Sequence, residues 1–150
     1  MKKFFAFTLG LVMLNMANAQ VRNPVQWDFS AKKVGATTYE VYLTANMEDG
    51  WHVYSQHTPD GGPVPTTIKF SKNPLLTLNG AAKESGKKEQ KFEELFGVDV
   101  IQFSDKVVFV QKIDVKGKAK TTLSGSVEFM TCNDRECLPP TTQKFSIALK

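Results

Sequence analysis

Cysteine and histidine occur only twice each in this sequence, so chemistry that needs thiols or soft metal ligands has little to draw on. No stretch reads as an amphipathic helix of ten or more residues, which excludes a helical bundle and a doubly wound α/β fold. Past the N-terminus, no apolar run approaches the ~20 residues of a membrane-spanning helix. There is no internal repeat and no low-complexity segment, which excludes a solenoid. Positive charge does not gather into a patch. The formal charge is +4, Lys2 and Lys3 account for two of those charges, and elsewhere lysines are interspersed with carboxylates. Nucleic acid is therefore not an expected partner. No serine stands in the strand-turn setting of a hydrolase nucleophile,.

The N-terminus has the layout of an export signal over residues 1–19. Lys2 and Lys3 supply the charge, Phe4 to Leu14 the apolar stretch, and Ala17-Asn18-Ala19 a small-residue cleavage site,. The mature chain is expected to start at Gln20, as one domain over residues 20–150, with no membrane span once the signal is removed. No cysteine follows the cleavage site, so a lipoprotein anchor is not expected. The expectation is a soluble exported protein, periplasmic or equivalent. Its remaining ~130 residues are enough to bury a core without cross-links.

Within that domain, short alternating segments recur between turn signals. Val25 to Phe29 and Thr38 to Ala45 read as strands, the second with Tyr39, Val41, Leu43 and Ala45 on one face,. Trp51 to His57 holds both histidines. Thr58 to Pro65, with three prolines and two glycines, is a loop before a strand over Thr66 to Phe70,. Leu75 to Leu78 suits a short strand, and Ala81 to Glu89 is too polar to assign. Val98 to Phe103 and Lys106 to Val115 read as a β pair turning at Ser104-Asp105, and Lys116-Gly117-Lys118 as a hairpin turn. Thr121 to Thr131 points Leu123, Val127 and Phe129 inward, leaving Met130 and Cys132 on the opposite side by parity. Lys144 to Leu149 is the last strand. The pattern is that of an all-β sandwich.

Both cysteines lie in Phe129-Met130-Thr131-Cys132-Asn133-Asp134-Arg135-Glu136-Cys137-Leu138-Pro139-Pro140. Asn133-Asp134 signals a turn, and Pro139-Pro140 fixes the backbone just beyond the second sulfur. In an oxidising compartment the even count favours pairing. Such a disulfide reads either as a structural staple or as a reactive centre. Against the staple, so short a loop is worth only about 2 kcal/mol by chain entropy. Arg135 favours a thiolate, while Asp134 and Glu136 disfavour it. A thiol held at a higher pKa belongs to a more reducing couple, the property of an electron donor. His52 and His57 with the two cysteines offer a copper or zinc set on paper, but they follow no closed-site spacing and oxidised sulfurs do not ligate as thiolates.

Three pieces carry a family resemblance: Asp49-Gly50-Trp51-His52-Val53-Tyr54, Phe92-Glu93-Glu94-Leu95-Phe96-Gly97, and Cys132 to Pro140 with its Cys-Leu-Pro-Pro ending. From about Trp27 to Leu149 the chain resembles the N-terminal periplasmic domain of the thiol:disulfide interchange protein DsbD. The resemblance implies an immunoglobulin-like β-sandwich and protein-disulfide reductase chemistry without a cofactor or metal. Electrons would come from a membrane thiol reductase and pass to thioredoxin-like periplasmic proteins, with a link to cytochrome c biogenesis.

It also implies roles for particular residues. Cys137 becomes the interchange sulfur and Cys132 the resolving one. Glu93, Glu94, Leu95, Phe96 and Gly97 become a cap loop, with Leu95 and Phe96 shielding the sulfurs and Glu93 and Glu94 raising the thiol pKa. His52 and Tyr54 line the site. The sequence departs from the family pattern in its shorter inter-cysteine gap, in a Leu-Phe pair at the cap tip, and in a histidine where a tyrosine is usual. The membrane and thioredoxin-like domains that accompany this module are not among these residues, so the expected electron donor is a separate protein. The alternative is a non-catalytic immunoglobulin-like module that binds another envelope protein or a glycan and keeps an inert disulfide.

Overall fold

The computed structural model describes residues 22–117 and 119–150. The proposed signal peptide and Lys118 of the expected hairpin turn lie outside them. Among the described residues every regular element is a strand: β1 (Val25–Lys33), β2 (Thr38–Met47), β3 (His52–Tyr54), β4 (Thr67–Phe70), β5 (Leu76–Glu93), β6 (Val98–Val115), β7 (Thr121–Cys132) and β8 (Cys137–Leu149).

All pairings are antiparallel. The ladder runs β1-β2-β6-β3-β7-β4, with β5 also on β6 and β8 also on β7. One layer is therefore β1, β2, β6 and β5, and the other β4, β7 and β8. The three-residue β3 joins them at one end, pairing with Gln102 to Ser104 of β6 and with Thr131 and Cys132 of β7. The chain has the fold expected of it, an all-β sandwich of immunoglobulin-like type made from a curled antiparallel sheet.

Alternation builds the core. Tyr39, Val41, Leu43 and Ala45 of β2 are buried, as are Leu123, Val127 and Phe129 of β7 and Phe145, Ile147 and Leu149 of β8. Aromatic side chains knit the layers together. Phe29 of β1 stacks on Phe145 of β8 at 5.1 Å, and Trp27 lies 5.3 Å from Phe129 and 6.0 Å from Phe109. Burying several such rings, at about 2 to 3 kcal/mol each, supplies the main cohesion between layers.

Two sequence readings are corrected. Ser104-Asp105 does not reverse the chain: β6 runs unbroken from Val98 to Val115. Asp105 adopts a positive φ of 63°, and there β6 stops pairing with β3 and starts pairing with β2. Its turn chemistry makes a bulge that bends the strand instead of ending it. Second, Leu76 to Glu93 is one continuous strand, so the unassigned segment from Ala81 to Glu89 is extended. Its hydrophobic signal is weak because β5 pairs only along one side, and its register shifts twice.

Candidate active site

The cysteines occupy the end of the β7–β8 hairpin. Cys132 and Cys137 are direct cross-strand partners, joined as a disulfide with Cα atoms 4.0 Å apart. The four residues between them form the hairpin loop. Asn133 closes it, its side-chain oxygen accepting from the backbone N–H groups of Arg135 at 2.8 Å and Glu136 at 2.9 Å, and its own N–H donating to the Glu136 carbonyl. This is the Asx turn foreshadowed by Asn133-Asp134.

Just beyond, Leu138 pairs with Thr131 and Thr141 with Phe129, so Pro139 and Pro140 together face the single Met130. Proline has no N–H to offer a ladder, and a bulge is where a sheet tolerates it. The Cys-Leu-Pro-Pro ending thus ends regular pairing immediately behind the sulfurs.

Cross-strand partners project to the same face of a sheet, and the ladder therefore shows what the sulfurs share. His52 pairs with both Cys132 and Ser104, Tyr54 with Gln102, and Glu89, Lys91 and Glu93 of β5 with Gln102, Val100 and Val98. That face carries a small core of its own, of Tyr54, Val100 and Cys132 with Val98, Met130 and Cys137 against it. The main core, with Val53, Phe103 and Phe129, lies on the other side. Parity was a sound guide for Met130 and Cys132, though opposite to the core does not here mean exposed. Cys132 is 0% exposed, whereas Cys137 is half-buried. A reagent arriving from solvent meets Cys137 first.

His52 and Tyr54 are buried beside the pair, with His52 Nε2 3.1 Å from the Tyr54 hydroxyl and the two rings edge to face at 5.2 Å. Burial pushes the His52 imidazole down to about 4; Lys91 pushes the same way, while Asp134 and Glu89 oppose. Burial, and secondarily the Glu93 carboxylate, raises the Tyr54 hydroxyl well above its ordinary value. At neutral pH both groups are uncharged.

Glu93 to Gly97 forms the turn between β5 and β6, closed by the N–H groups of Phe96 and Gly97 donating to the Glu93 carbonyl at 3.2 and 2.8 Å. Gly97 takes a positive φ of 69°, which suits glycine. Within this tip Glu93 is buried, with Lys91 Nζ 3.9 Å from its carboxylate, and Phe96 is half-buried. Glu94 is exposed and so is Leu95, at 59%, as is Phe92 before it. Of the apolar pair expected at the cap tip, only Phe96 is turned partly inward. The tip and the inter-cysteine loop face one another across a cavity of about 320 Å³ lined by Lys91 to Leu95, Asn133 and Asp134.

His57, by contrast, is exposed and lies against β5 with Ala82 and Lys83. Gln102, not among the expected site residues, is buried on the site face with its side-chain oxygen unpartnered among the described residues. The one polar position in the alternation Val98, Val100, Gln102 was its signal. Thr131 was also passed over; its hydroxyl donates to the His52 carbonyl at 2.9 Å and ties β3 to β7.

The family model described as thiol:disulfide interchange protein DsbD, N-terminal, matches residues 19–149. The DsbD N-terminal domain of Neisseria meningitidis in its reduced form superposes with a TM-score of 0.55 at 19% identity, over 83% of this chain and 85% of that one. The N-terminal periplasmic domain of ScsB from Proteus mirabilis gives 0.57 at 17% identity, over 85% of this chain and 47% of that one. A complex between the DsbD and PilB N-terminal domains of Neisseria meningitidis gives 0.51 at 17% identity, over 85% and 87%. At these identities the superpositions speak for the fold alone. No curated protein matches the sequence.

Proposed function

The chain belongs to the family of DsbD N-terminal domains, and from that membership we propose that it relays electrons by thiol-disulfide exchange through Cys132 and Cys137. The observation that carries the reading is the asymmetry of the pair, a buried Cys132 bonded to a half-buried Cys137 at the loop end of a hairpin. In a thiol-disulfide relay one sulfur must meet the partner and the other must wait behind it.

In the proposed cycle a thiolate on a membrane thiol reductase opens the disulfide at Cys137. The reduced pair waits, and the Cys137 thiolate then attacks the disulfide of a thioredoxin-like partner outside the cytoplasm. Cys132 resolves the mixed disulfide. The β5–β6 tip, Glu93 to Gly97, is the cover over this step, with Phe96 its inward-turned side chain. Glu93 and Glu94 add negative charge beside the thiols and disfavour their ionisation at rest. His52 and Tyr54 line the site. Export by the N-terminal signal puts the domain in a compartment where such partners work. No helix among the described residues is long and apolar enough to cross a membrane.

The direct test is Cys132→Ser, which leaves Cys137 unable to release a captured partner. On non-reducing gels the variant should accumulate a mixed disulfide that Cys137→Ser removes. If no such species forms in cells containing all partners, the relay is wrong. Slow opening of the native bond by mild reductant, unaccelerated by a thioredoxin-like protein, would favour the inert-disulfide alternative.

A further inference from the structure

Resting on that relay, one step still needs a participant. Cys132 must lose its thiol proton to resolve the mixed disulfide, yet it has no exposed surface from which water could take it. We propose that the His52 imidazole accepts this proton.

His52 is the direct cross-strand partner of Cys132, which sets their Cβ atoms roughly 5 Å apart on a common face. The Thr131 hydroxyl fixes the register by bonding the His52 carbonyl. The Tyr54 hydroxyl meets Nε2 and holds the ring edge-on. In the tautomer that lets Nε2–H donate to Tyr54, Nδ1 is left with a free lone pair.

The titratable and charged groups around the ring are Tyr54 on β3, Glu89 and Lys91 on β5 with Glu93 beside Tyr54, Asp134 in the loop, and Cys132 itself on β7, while β6 meets it with the uncharged Ser104 and Gln102. Burial and Lys91 keep His52 unprotonated through the neutral range, so the acceptor is always vacant. So weak a base takes the proton uphill and holds it only while the sulfur reacts. Asp134 and Glu89 steady the transient imidazolium.

The Cys137 thiolate has already attacked the partner disulfide, forming one S–S bond and expelling one partner thiolate. The Cys132 sulfur now attacks the Cys137 sulfur while its proton passes to Nδ1. The Cys132–Cys137 bond forms, the bond from Cys137 to the partner breaks, and the second partner sulfur leaves as a thiolate. The imidazolium returns its proton to that thiolate or to water. Two electrons have moved from the pair to the partner.

The test uses the fully reduced protein mixed with one equivalent of 5,5′-dithiobis(2-nitrobenzoate). The first thionitrobenzoate reports attack by Cys137, and the second reports resolution by Cys132. In His52→Gln the second release should slow roughly tenfold or more at pH 7, the scale of lost general-base assistance. The deficit should shrink as pH rises and Cys132 ionises unaided. His52→Tyr keeps an aromatic ring but has no basic nitrogen, and should show the same delay should the glutamine variant fold poorly.

A second release at unchanged rate in both variants, or equal slowing of both releases, overturns the assignment of His52 while leaving the relay standing. If the unsubstituted protein gives no second release at any pH, the dithiol relay fails and this proposal with it.

Discussion

His52 joins stability to chemistry. Its imidazole titrates near 4 in the folded chain and near 6.5 when unfolded, so between those values the unfolded state binds the extra proton. The sign follows: the ring costs nothing above pH 6.5, and stability falls as pH drops towards 4, by up to about 3 kcal/mol. Urea denaturation at pH 7.5 and 4.5 should show a loss that is smaller in His52→Gln; an identical loss in both proteins would mean that the ring is protonated freely. At this scale the sequence was legible wherever a residue's backbone chemistry is local. Asn133 closes its own loop, and the prolines mark their own bulge. It was less legible for Leu95 and Phe96, because which of two adjacent apolar side chains turns inward depends on the strand they leave and the loop they face.

At the scale of elements, the bend in β6 is the feature the sequence concealed. A Ser-Asp pair between two apolar runs has the same composition whether the chain reverses or merely kinks. Only the availability of β2 and β3 as successive partners decides it. The kink has a counterpart across the ladder, where Gly86 lies so close to β6 that an added Cβ would sit 2.7 Å from the Lys106 carbonyl oxygen and 3.1 Å from the Val107 Cα. Both are backbone atoms and cannot swing aside. Gly86→Ala should therefore cost about 1 to 3 kcal/mol, read as a lower thermal midpoint. An unchanged midpoint would show that the two strands can part at no cost. Strands β2, β7 and β8 were legible from alternation because each buries one face; β5 was not, because an edge strand has little to hide.

For the whole molecule, cohesion comes from the aromatic layer between the sheets, on the opposite side of β7 from the sulfurs. The disulfide closes a loop of only a few residues, so its opening should lower stability by no more than about 2 kcal/mol. Urea titrations with and without dithiothreitol can measure this. A loss several-fold larger would make the bond a structural staple after all. The fold class was legible because period-two patterns and turn signals persist through the domain. The site was legible mainly through its resemblance, since nothing local in the sequence says that β5, β3 and β7 meet on one face. That convergence is a matter of register between strands dozens of residues apart.

The disulfide's position on the ladder has one more consequence. Because Cys132 and Cys137 face each other as the final pair of β7 and β8, strand register sets the distance between the sulfurs, and the intervening residues bulge outward. That loop is a replaceable insert: longer or shorter versions hung from the same rung would present different shapes to a visitor while holding the same two atoms. Counting residues between cysteines is thus a poor way to search for relatives of this site, and the short gap in this chain describes its outer contour, not its reactivity.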